Sequence, residues 1–264
     1  MRSYYTPEVY DRLIARKDVI ADRIVYESDG LKIAGFLVEP VHHGGRLPVI
    51  IWCRGGKSET GALTTGDVLT MSNWARRGYI VIASQYRGGP DSEGHDEFGG
   101  ADVDDVVALA KLSAGMPEAE PNRLYLYGYS RGGMMVYRAM AGGLAVKAAA
   151  VNSGLSDLDE QTRPDLAADY SGMMPDYFAE AANHFCRRSA ICWPQKLAAP
   201  LLILHGDRDW RVPVHQAVDL DKKLLALGKP VSLVIVHGGN HVVLDDDQAG
   251  IDDEILGFFG KHRD

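Results

Sequence analysis

The segment Arg123-Leu-Tyr-Leu-Tyr-Gly-Tyr-Ser-Arg-Gly-Gly-Met134 contains a short apolar strand, a glycine-rich turn and the start of a helix. Residues 128–132 have the pattern G-x-S-x-G, in which a strained strand-to-helix turn lifts the serine hydroxyl above the end of a sheet. A serine hydroxyl becomes a useful nucleophile only when a base takes its proton, and such a turn leaves room for that base. Because chains rich in Gly and Ser show the pattern by chance, Ser130 needs support from the rest of the sequence.

Short apolar runs alternate with helical patterns from residue 47 onwards, which is typical of a mostly parallel sheet with helices on both faces. The predicted strands of this sheet are Leu47–Cys53, Tyr79–Ser84, Leu124–Tyr127, Lys147–Asn152, Leu201–His205 and Val231–His237. The predicted helices between and after them are Asp67–Arg77, Asp102–Ala114, Gly132–Ala141, Val214–Leu227 and Asp247–Gly260. Ahead of this core we expect a helix within residues 7–17 and a hairpin, Arg23–Ser28 and Leu31–Val38, that turns at Asp29-Gly30.

Length and charge limit the kind of protein this can be. A chain of 264 residues with 46% hydrophobic content suits one α/β domain over residues 1–264. A net charge of -8 without a basic block argues against nucleic acid or a membrane as the main partner. With no signal-peptide pattern at the start and no apolar run of about 20 residues, we expect a cytoplasmic protein. Three cysteines without a C-x-x-C pair predict reduced thiols, with a Cys186–Cys192 bridge as the alternative.

Residues 155–197 interrupt the alternation with a polar and aromatic segment between two predicted strands. An insert at this point would lie over the carboxyl ends of the strands, where open α/β sheets bind their ligands. We therefore predict a small cap that shapes a substrate pocket, with Tyr177 and Trp193 among its substrate-binding side chains. The alternative is a helical crossover whose aromatic residues belong to the core.

Two further loops carry the residues that a serine nucleophile needs, a histidine that accepts its proton and a carboxylate that orients the histidine. One is His205-Gly-Asp-Arg-Asp-Trp-Arg-Val-Pro213, after a predicted strand, and the other is His237-Gly-Gly-Asn-His241, after the next. Each begins where a strand ends, so both loops and Ser130 converge on one face. The chain order Ser, acid, His is that of α/β-hydrolases.

Together these motifs resemble the catalytic domain of the prolyl oligopeptidase family of serine peptidases. The resemblance rests on H-G-x-x-D-x-x-V-P over His205–Pro213, G-x-S-x-G, G-G-N-H ending at His241, and Gln85-Tyr-Arg-Gly-Gly89 with the segment from Glu97 to Asp105. It covers most of residues 47–262. It implies an α/β-hydrolase fold with Ser130 as nucleophile, Asp209 as acid and His241 as general base.

Other residues compete for these roles. The spacing to Val212-Pro213 favours Asp209 over Asp207, which is expected to hydrogen-bond the turn backbone. His237 is still at the strand end, whereas His241 lies in a glycine turn. Ser153 is predicted to be a second exposed serine after a strand, but it lacks the elbow.

The sequence departs from the family pattern in two places. Only about 45 residues precede the first core strand, so the β-propeller that filters peptides in family members is expected to be absent. Where many relatives have H-G-G, this chain has Arg54-Gly55-Gly56. Backbone N–H groups of Arg54 and Gly55, with that of Arg131, are still expected to form the oxyanion hole.

Substrate-binding candidates outside the insert are Arg54, Arg87 and Tyr129. The two arginines could bind an anionic group through a charge-assisted fork. The favoured alternative is that each braces its loop by pairing with an acid such as Asp91, Glu93 or Asp96. The acidic run from residue 91 to 97 could instead capture a peptide amino terminus, although such a run is more often a solvated loop. His42-His43 lacks the supporting ligands of a metal site, and no metal is predicted.

The sequence therefore predicts a serine hydrolase that cleaves small esters or amides through an acyl-enzyme, as a peptidase or a carboxylesterase. No cofactor is expected, the partner is a small-molecule or short-peptide substrate, and a homo-oligomer is left open. Two alternatives remain, a noncatalytic binding protein on the same fold and acyl transfer or lyase chemistry with the same triad.

Overall fold

The computed structural model describes residues 11, 17–158, 167–242 and 248–263. The helix predicted within residues 7–17 lies outside these ranges except at its residues 11 and 17.

Eight strands and seven α-helices are described. The strands are β1 Val19–Ser28, β2 Leu31–Pro40, β3 Leu47–Cys53, β4 Ile80–Ser84, β5 Ala119–Tyr129, β6 Ala148–Asn152, β7 Leu201–Gly206 and β8 Val231–Val236. The helices are α1 Thr65–Ala75, α2 Val103–Ala114, α3 Arg131–Ala141, α4 Ala167–Met173, α5 Tyr177–Arg188, α6 His215–Ala226 and α7 Gln248–Lys261, with 3-10 turns at Ala190–Cys192 and Pro194–Lys196.

All eight strands form one sheet in the order β1-β2-β4-β3-β5-β6-β7-β8. Strand β2 is antiparallel to β1 and to β4, and every other neighbouring pair is parallel. The predicted hairpin and the predicted parallel core are both confirmed. Because β3 and β5 to β8 run the same way, the loops after them meet at one edge of the sheet.

The core has two layers because alternate residues of each strand point to opposite faces. Val49 and Ile51 face the layer that contains α2, α3 and α6, whereas Ile50 and Trp52 face the layer of α1 and α7. Burial on both faces explains why these strands are continuous apolar runs rather than alternating ones.

Two boundaries differ from the prediction for physical reasons. Strand β5 begins at Ala119, because Ala119 pairs with Leu47 at the start of β3 across a bulge. Helix α1 begins at Thr65, because the carboxylate of Asp67 accepts hydrogen bonds from the backbone N–H and hydroxyl of Thr64, a capping box.

The insert between β6 and β7 contains α4, α5 and the two 3-10 turns. Four of its aromatic side chains, Tyr170, Tyr177, Phe185 and Trp193, are buried in the core layer with α3, whereas Phe178 is exposed. Tyr177 and Trp193 are therefore core residues, as the alternative interpretation of the insert predicts, and they are not part of a substrate pocket at Ser130. Cys53, Cys186 and Cys192 are all free, as predicted.

Candidate active site

Ser130 lies at the turn between β5 and α3, with a positive φ of 55° and a ψ of -124°, a combination that non-glycine residues rarely adopt. Neighbouring glycines make the turn possible because the backbone is crowded there. A Cβ on Gly128 would collide with the carbonyl of Gly132, and a Cβ on Gly132 would collide with the carbonyl of Cys53. The G-x-S-x-G pattern is thus a steric requirement of this turn.

The three predicted triad residues lie in hydrogen-bonding contact. His241 Nε2 is 3.0 Å from Ser130 Oγ, and His241 Nδ1 is 2.8 Å from Asp209 Oδ2 and 3.0 Å from Oδ1. An ionised carboxylate only accepts, so Nδ1 carries the ring proton and Nε2 accepts the serine hydroxyl. The arrangement is therefore set to move a proton from Ser130 to His241.

Asp209 is held as a carboxylate by its surroundings. Its Oδ1 accepts hydrogen bonds from the N–H groups of Arg211 and Val212, and His205 Nε2 lies 3.3 Å from its Oδ2. Burial would raise the pKa of Asp209, but the His205 and His241 rings and the Val212 N–H hold it well below its usual range. An ionised Asp209 fixes both the tautomer and the orientation of His241.

The competing residues have other partners. Asp207 pairs with the exposed ring of His237 at 3.0 Å and accepts the N–H of Gly238 at 2.7 Å. The hydrogen bond from His237 lowers the pKa of Asp207. Ser153 was predicted to be exposed, and this is wrong, because its side chain is fully buried and Ser153 Oγ accepts the N–H of Val242.

The loop after β3 packs its backbone against the nucleophile. A Cβ on Gly55 would lie 2.8 Å from Tyr129 Cε2 and 3.3 Å from Ser130 Cβ, so only glycine fits this approach. Gly55 and Arg131 both line the cavity at Ser130.

The side chain of Arg54 points away from this cavity into the protein. It is fully buried and donates to the carbonyl oxygens of Gln85, Gly55 and Ser58. Burial and the neighbouring Arg131 guanidinium lower the pKa of Arg54. The prediction that the Arg54 side chain binds substrate is therefore wrong. Arg54 stabilises the loop after β3 instead, and its partners are backbone carbonyl groups rather than the predicted carboxylate.

Arg87 is also a bracing residue rather than a substrate ligand. Its guanidinium forms ion pairs with Asp105 and Asp29 and donates to Ser28 Oγ. It does not line the described cavity at Ser130. The acidic run is occupied as well, because Asp91 pairs with Arg23 and Glu93 accepts the N–H of Lys32.

The other two acids of that run are Glu97, which accepts the N–H of Ala101, and Asp96, which is the partner of Arg131. The buried Arg131 guanidinium donates to Asp96 Oδ1 at 2.7 Å and Oδ2 at 2.8 Å, and it also pairs with Asp102. Burial alone would raise the pKa of Asp96, but Arg131 and the Ser58 and Phe98 N–H groups lower it. Sequence reasoning missed this pair, because nothing in the elbow pattern shows that the residue after the serine points inward.

A cavity of about 550 Å³ opens at Ser130 and His241. Of the predicted substrate-binding residues only Tyr129 lines it, since Arg54, Arg87, Tyr177 and Trp193 lie elsewhere. Its other apolar lining residues were not predicted and are Ala62, Phe98, Leu155 and Val242. Charged side chains also reach it, namely Lys57, Glu59, Asp67 and Arg211. Asp67 belongs to α1 and Arg211 to the loop after β7, whereas Lys57 and Glu59 come from the loop after β3.

Within the described ranges, no three His, Cys, Asp or Glu side chains are grouped as a metal site would need. None of the described helices is both long enough and apolar enough to cross a membrane.

The sheet order and the serine turn after β5 define an α/β-hydrolase, and known proteins agree. The acylaminoacyl peptidase of Pyrococcus horikoshii superimposes with a TM-score of 0.79 at 21% identity, over 98% of this chain and 44% of that one. The uncharacterized peptidase YtmA of Bacillus subtilis is 29% identical over 79% of this chain and 80% of its own length. Dipeptidyl-peptidase 5 of Porphyromonas gingivalis is 26% identical over 77% of this chain, which spans only 32% of that relative.

The chain belongs to the prolyl oligopeptidase family, whose profile matches residues 67–264. It is a peptidase-like hydrolase with the fold that the sequence predicted.

The buried Arg131 pair predicts an acid-sensitive contribution to stability. We expect Asp96→Asn to lower the free energy of unfolding by about 3 kcal/mol at pH 7, because it leaves a buried guanidinium partly unpaired. The folded pKa of Asp96 is lowered, so its contribution is complete above about pH 5 and is lost as the pH falls through the folded pKa. Urea unfolding of both proteins from pH 7 to pH 3 should show the difference shrinking.

The matched control is Asp91→Asn, which breaks the exposed pair with Arg23 and should cost less than about 1 kcal/mol. A difference between wild type and Asp96→Asn that stays constant down to pH 3 would contradict the assignment.

Proposed function

We propose that this protein is a serine hydrolase that cleaves small ester or amide substrates through an acyl-enzyme. The proposal is carried by one observation, the hydrogen-bonded chain from Ser130 Oγ through His241 to Asp209 at the mouth of a cavity. Membership of a peptidase family supports the reaction class.

In the proposed mechanism Ser130 Oγ attacks the carbonyl carbon of the substrate while its proton passes to His241 Nε2. The imidazolium that forms is stabilised by the ionised Asp209 at Nδ1. His241 then gives the proton to the leaving group, and the acyl group stays on Ser130. In the second half His241 takes a proton from a water molecule as the water oxygen attacks the acyl carbon. The bond between that carbon and Ser130 Oγ then breaks, His241 returns the proton to Oγ, and the acid is released.

The tetrahedral oxyanion needs donors that are in place before it forms. We assign this role to the backbone N–H groups of Arg131, at the first position of α3, and of Arg54 and Gly55 in the loop after β3. The burial of the Arg131 and Arg54 side chains favours the assignment, since each is fixed by several hydrogen bonds that hold its loop still.

The substrate we propose is a small molecule or a short peptide. The cavity combines an apolar wall at Phe98, Tyr129 and Leu155 with charged groups at its edge. A noncatalytic binding role is disfavoured, because binding alone gives no reason for a strained serine aligned with a histidine. Acyl transfer or lyase chemistry would use the same residues and would differ in what enters the cavity after the first step.

A fluorophosphonate probe tests the nucleophile. It should label the protein at Ser130, and Ser130→Ala should abolish labelling and lower ester turnover by about 10⁴-fold or more, because the attacking oxygen is gone. Peptide mapping identifies the labelled residue, and circular dichroism checks that the variant is folded. Labelling of another serine, or activity that survives in the folded variant, would refute the assignment.

Two matched substitutions test the acid. Asp209→Asn should lower kcat by about 10³- to 10⁴-fold, because an amide no longer selects the required tautomer of His241. Asp207→Asn makes the same chemical change in the exposed pair with His237 and should leave kcat within about threefold. The reverse order in two folded variants would move the acid to Asp207.

Substrate size is tested with a series of p-nitrophenyl esters. Short acyl chains should be hydrolysed fastest, with the rate falling once the chain outgrows a cavity of about 550 Å³. Amino-acid arylamides should react more slowly than esters, because an amine leaves only after it is protonated by His241. Efficient cleavage of long peptides without ester turnover would contradict this substrate class.

A further inference from the structure

Val242, the residue directly after His241, has a strained backbone. Its φ of 67° lies in the left-handed region, which a β-branched residue avoids because its Cβ is crowded there. Such a conformation persists only where surrounding contacts enforce it. The strain is adjacent to the general base of the proposed mechanism, so whatever holds Val242 also affects where His241 lies.

Two side chains at the end of β6 hold Val242 from both sides of its backbone. Ser153 Oγ accepts the Val242 N–H at 3.0 Å, and Asn152 Nδ2 donates to the Val242 carbonyl at 2.9 Å. Both side chains are excluded from solvent, with 0% and 1% exposure. If either of these buried hydrogen bonds is lost, water does not replace it, so the two bonds hold the backbone of Val242 firmly in place.

The same segment also holds the nucleophile. The Ser130 N–H donates to the Asn152 carbonyl at 3.0 Å, and the Leu155 N–H donates to the Ser130 carbonyl at 3.2 Å. Ser153 itself is left-handed, with φ 51°, and its N–H donates to the Leu204 carbonyl at the end of β7. The end of β6 is therefore bonded to the Ser130 turn, to the His241 loop and to the strand that precedes Asp209.

We propose that Ser153 and Asn152 are positioning residues that set His241 Nε2 at hydrogen-bonding distance from Ser130 Oγ by clamping the backbone of Val242. This inference rests on the proposed function. Neither residue touches the reacting atoms. Their effect is on the proton transfer from Ser130, so losing them should slow acylation and leave the cavity unchanged.

The test compares Ser153→Ala and Ser153→Gly with wild type in p-nitrophenyl acetate turnover and in the rate of fluorophosphonate labelling. Glycine accepts a φ of 51° without strain, so the second variant loses the hydroxyl without a new backbone cost. The matched control is Ser156→Ala, which removes another buried serine hydroxyl, bonded to the Gln216 carbonyl and not to the His241 loop.

We expect each Ser153 variant to have a kcat and a labelling rate about tenfold lower than wild type, with KM within about twofold. Ser156→Ala should change none of these three quantities by more than about twofold. A double-mutant cycle with Val242→Gly sharpens the test. Relative to the Val242→Gly single variant, Ser153→Ala should cost less than about threefold, because a glycine backbone needs no clamp to reach positive φ.

Folded Ser153 variants with wild-type kcat would overturn the inference. So would an equal loss in Ser156→Ala, or an undiminished loss in the Val242→Gly background. Failure of the proposed function gives a different result, because wild type itself would then show neither ester turnover nor labelling of Ser130.

Discussion

The positive φ of Ser130 is the constraint on which the rest of the site depends. A non-glycine residue in this region costs about 1–3 kcal/mol, which the surrounding structure must supply. It does so through the hydrogen bonds of Ser130 to Asn152 and Leu155, and through the buried pairing of the next side chain, Arg131, with Asp96 and Asp102. The ion pairs of Arg131 and the hydrogen bonds from the end of β6 thus hold the serine hydroxyl in the cavity.

Two Asp–His pairs lie in the loops after β7 and β8, and only one of them can serve Ser130. Asp207 and His237 pair on the surface, while Asp209 and His241 pair in a partly buried position. The difference arises from the chain path, because Asp209 turns inward to accept the N–H groups of Arg211 and Val212. Residue type alone would not separate the pairs. The spacing to Val212-Pro213 favours Asp209 over Asp207, and the position of His241 in a glycine turn favours it over His237.

The fold was largely predictable because its signal is repetitive. Strands buried on both faces leave continuous apolar runs such as Leu47–Cys53, and strand ends are followed by the loops that carry Ser130, Asp209 and His241. The cavity wall was not predictable. Its lining comes from single residues in several loops, helices and strands, and their placement depends on side-chain packing that no local pattern encodes. The core position of Tyr177 and Trp193 was not predictable either, because aromatic composition does not distinguish a core from a pocket.

The insert between β6 and β7 nevertheless reaches the cavity by another route. Arg188, at the end of α5, donates to the carbonyl oxygens of Phe98 and Glu97. The Phe98 ring lines the cavity and lies 4.9 Å from the guanidinium carbon of Arg131. Because of these contacts, a displacement of α5 would displace Phe98 and press on the Arg131 side chain beside it. Helix α5 itself supplies no group to the described cavity. The insert thus contacts the cavity wall in three ways: through Arg188 at Phe98, through the ion pair of Asp169 with Lys57, and directly through Leu155.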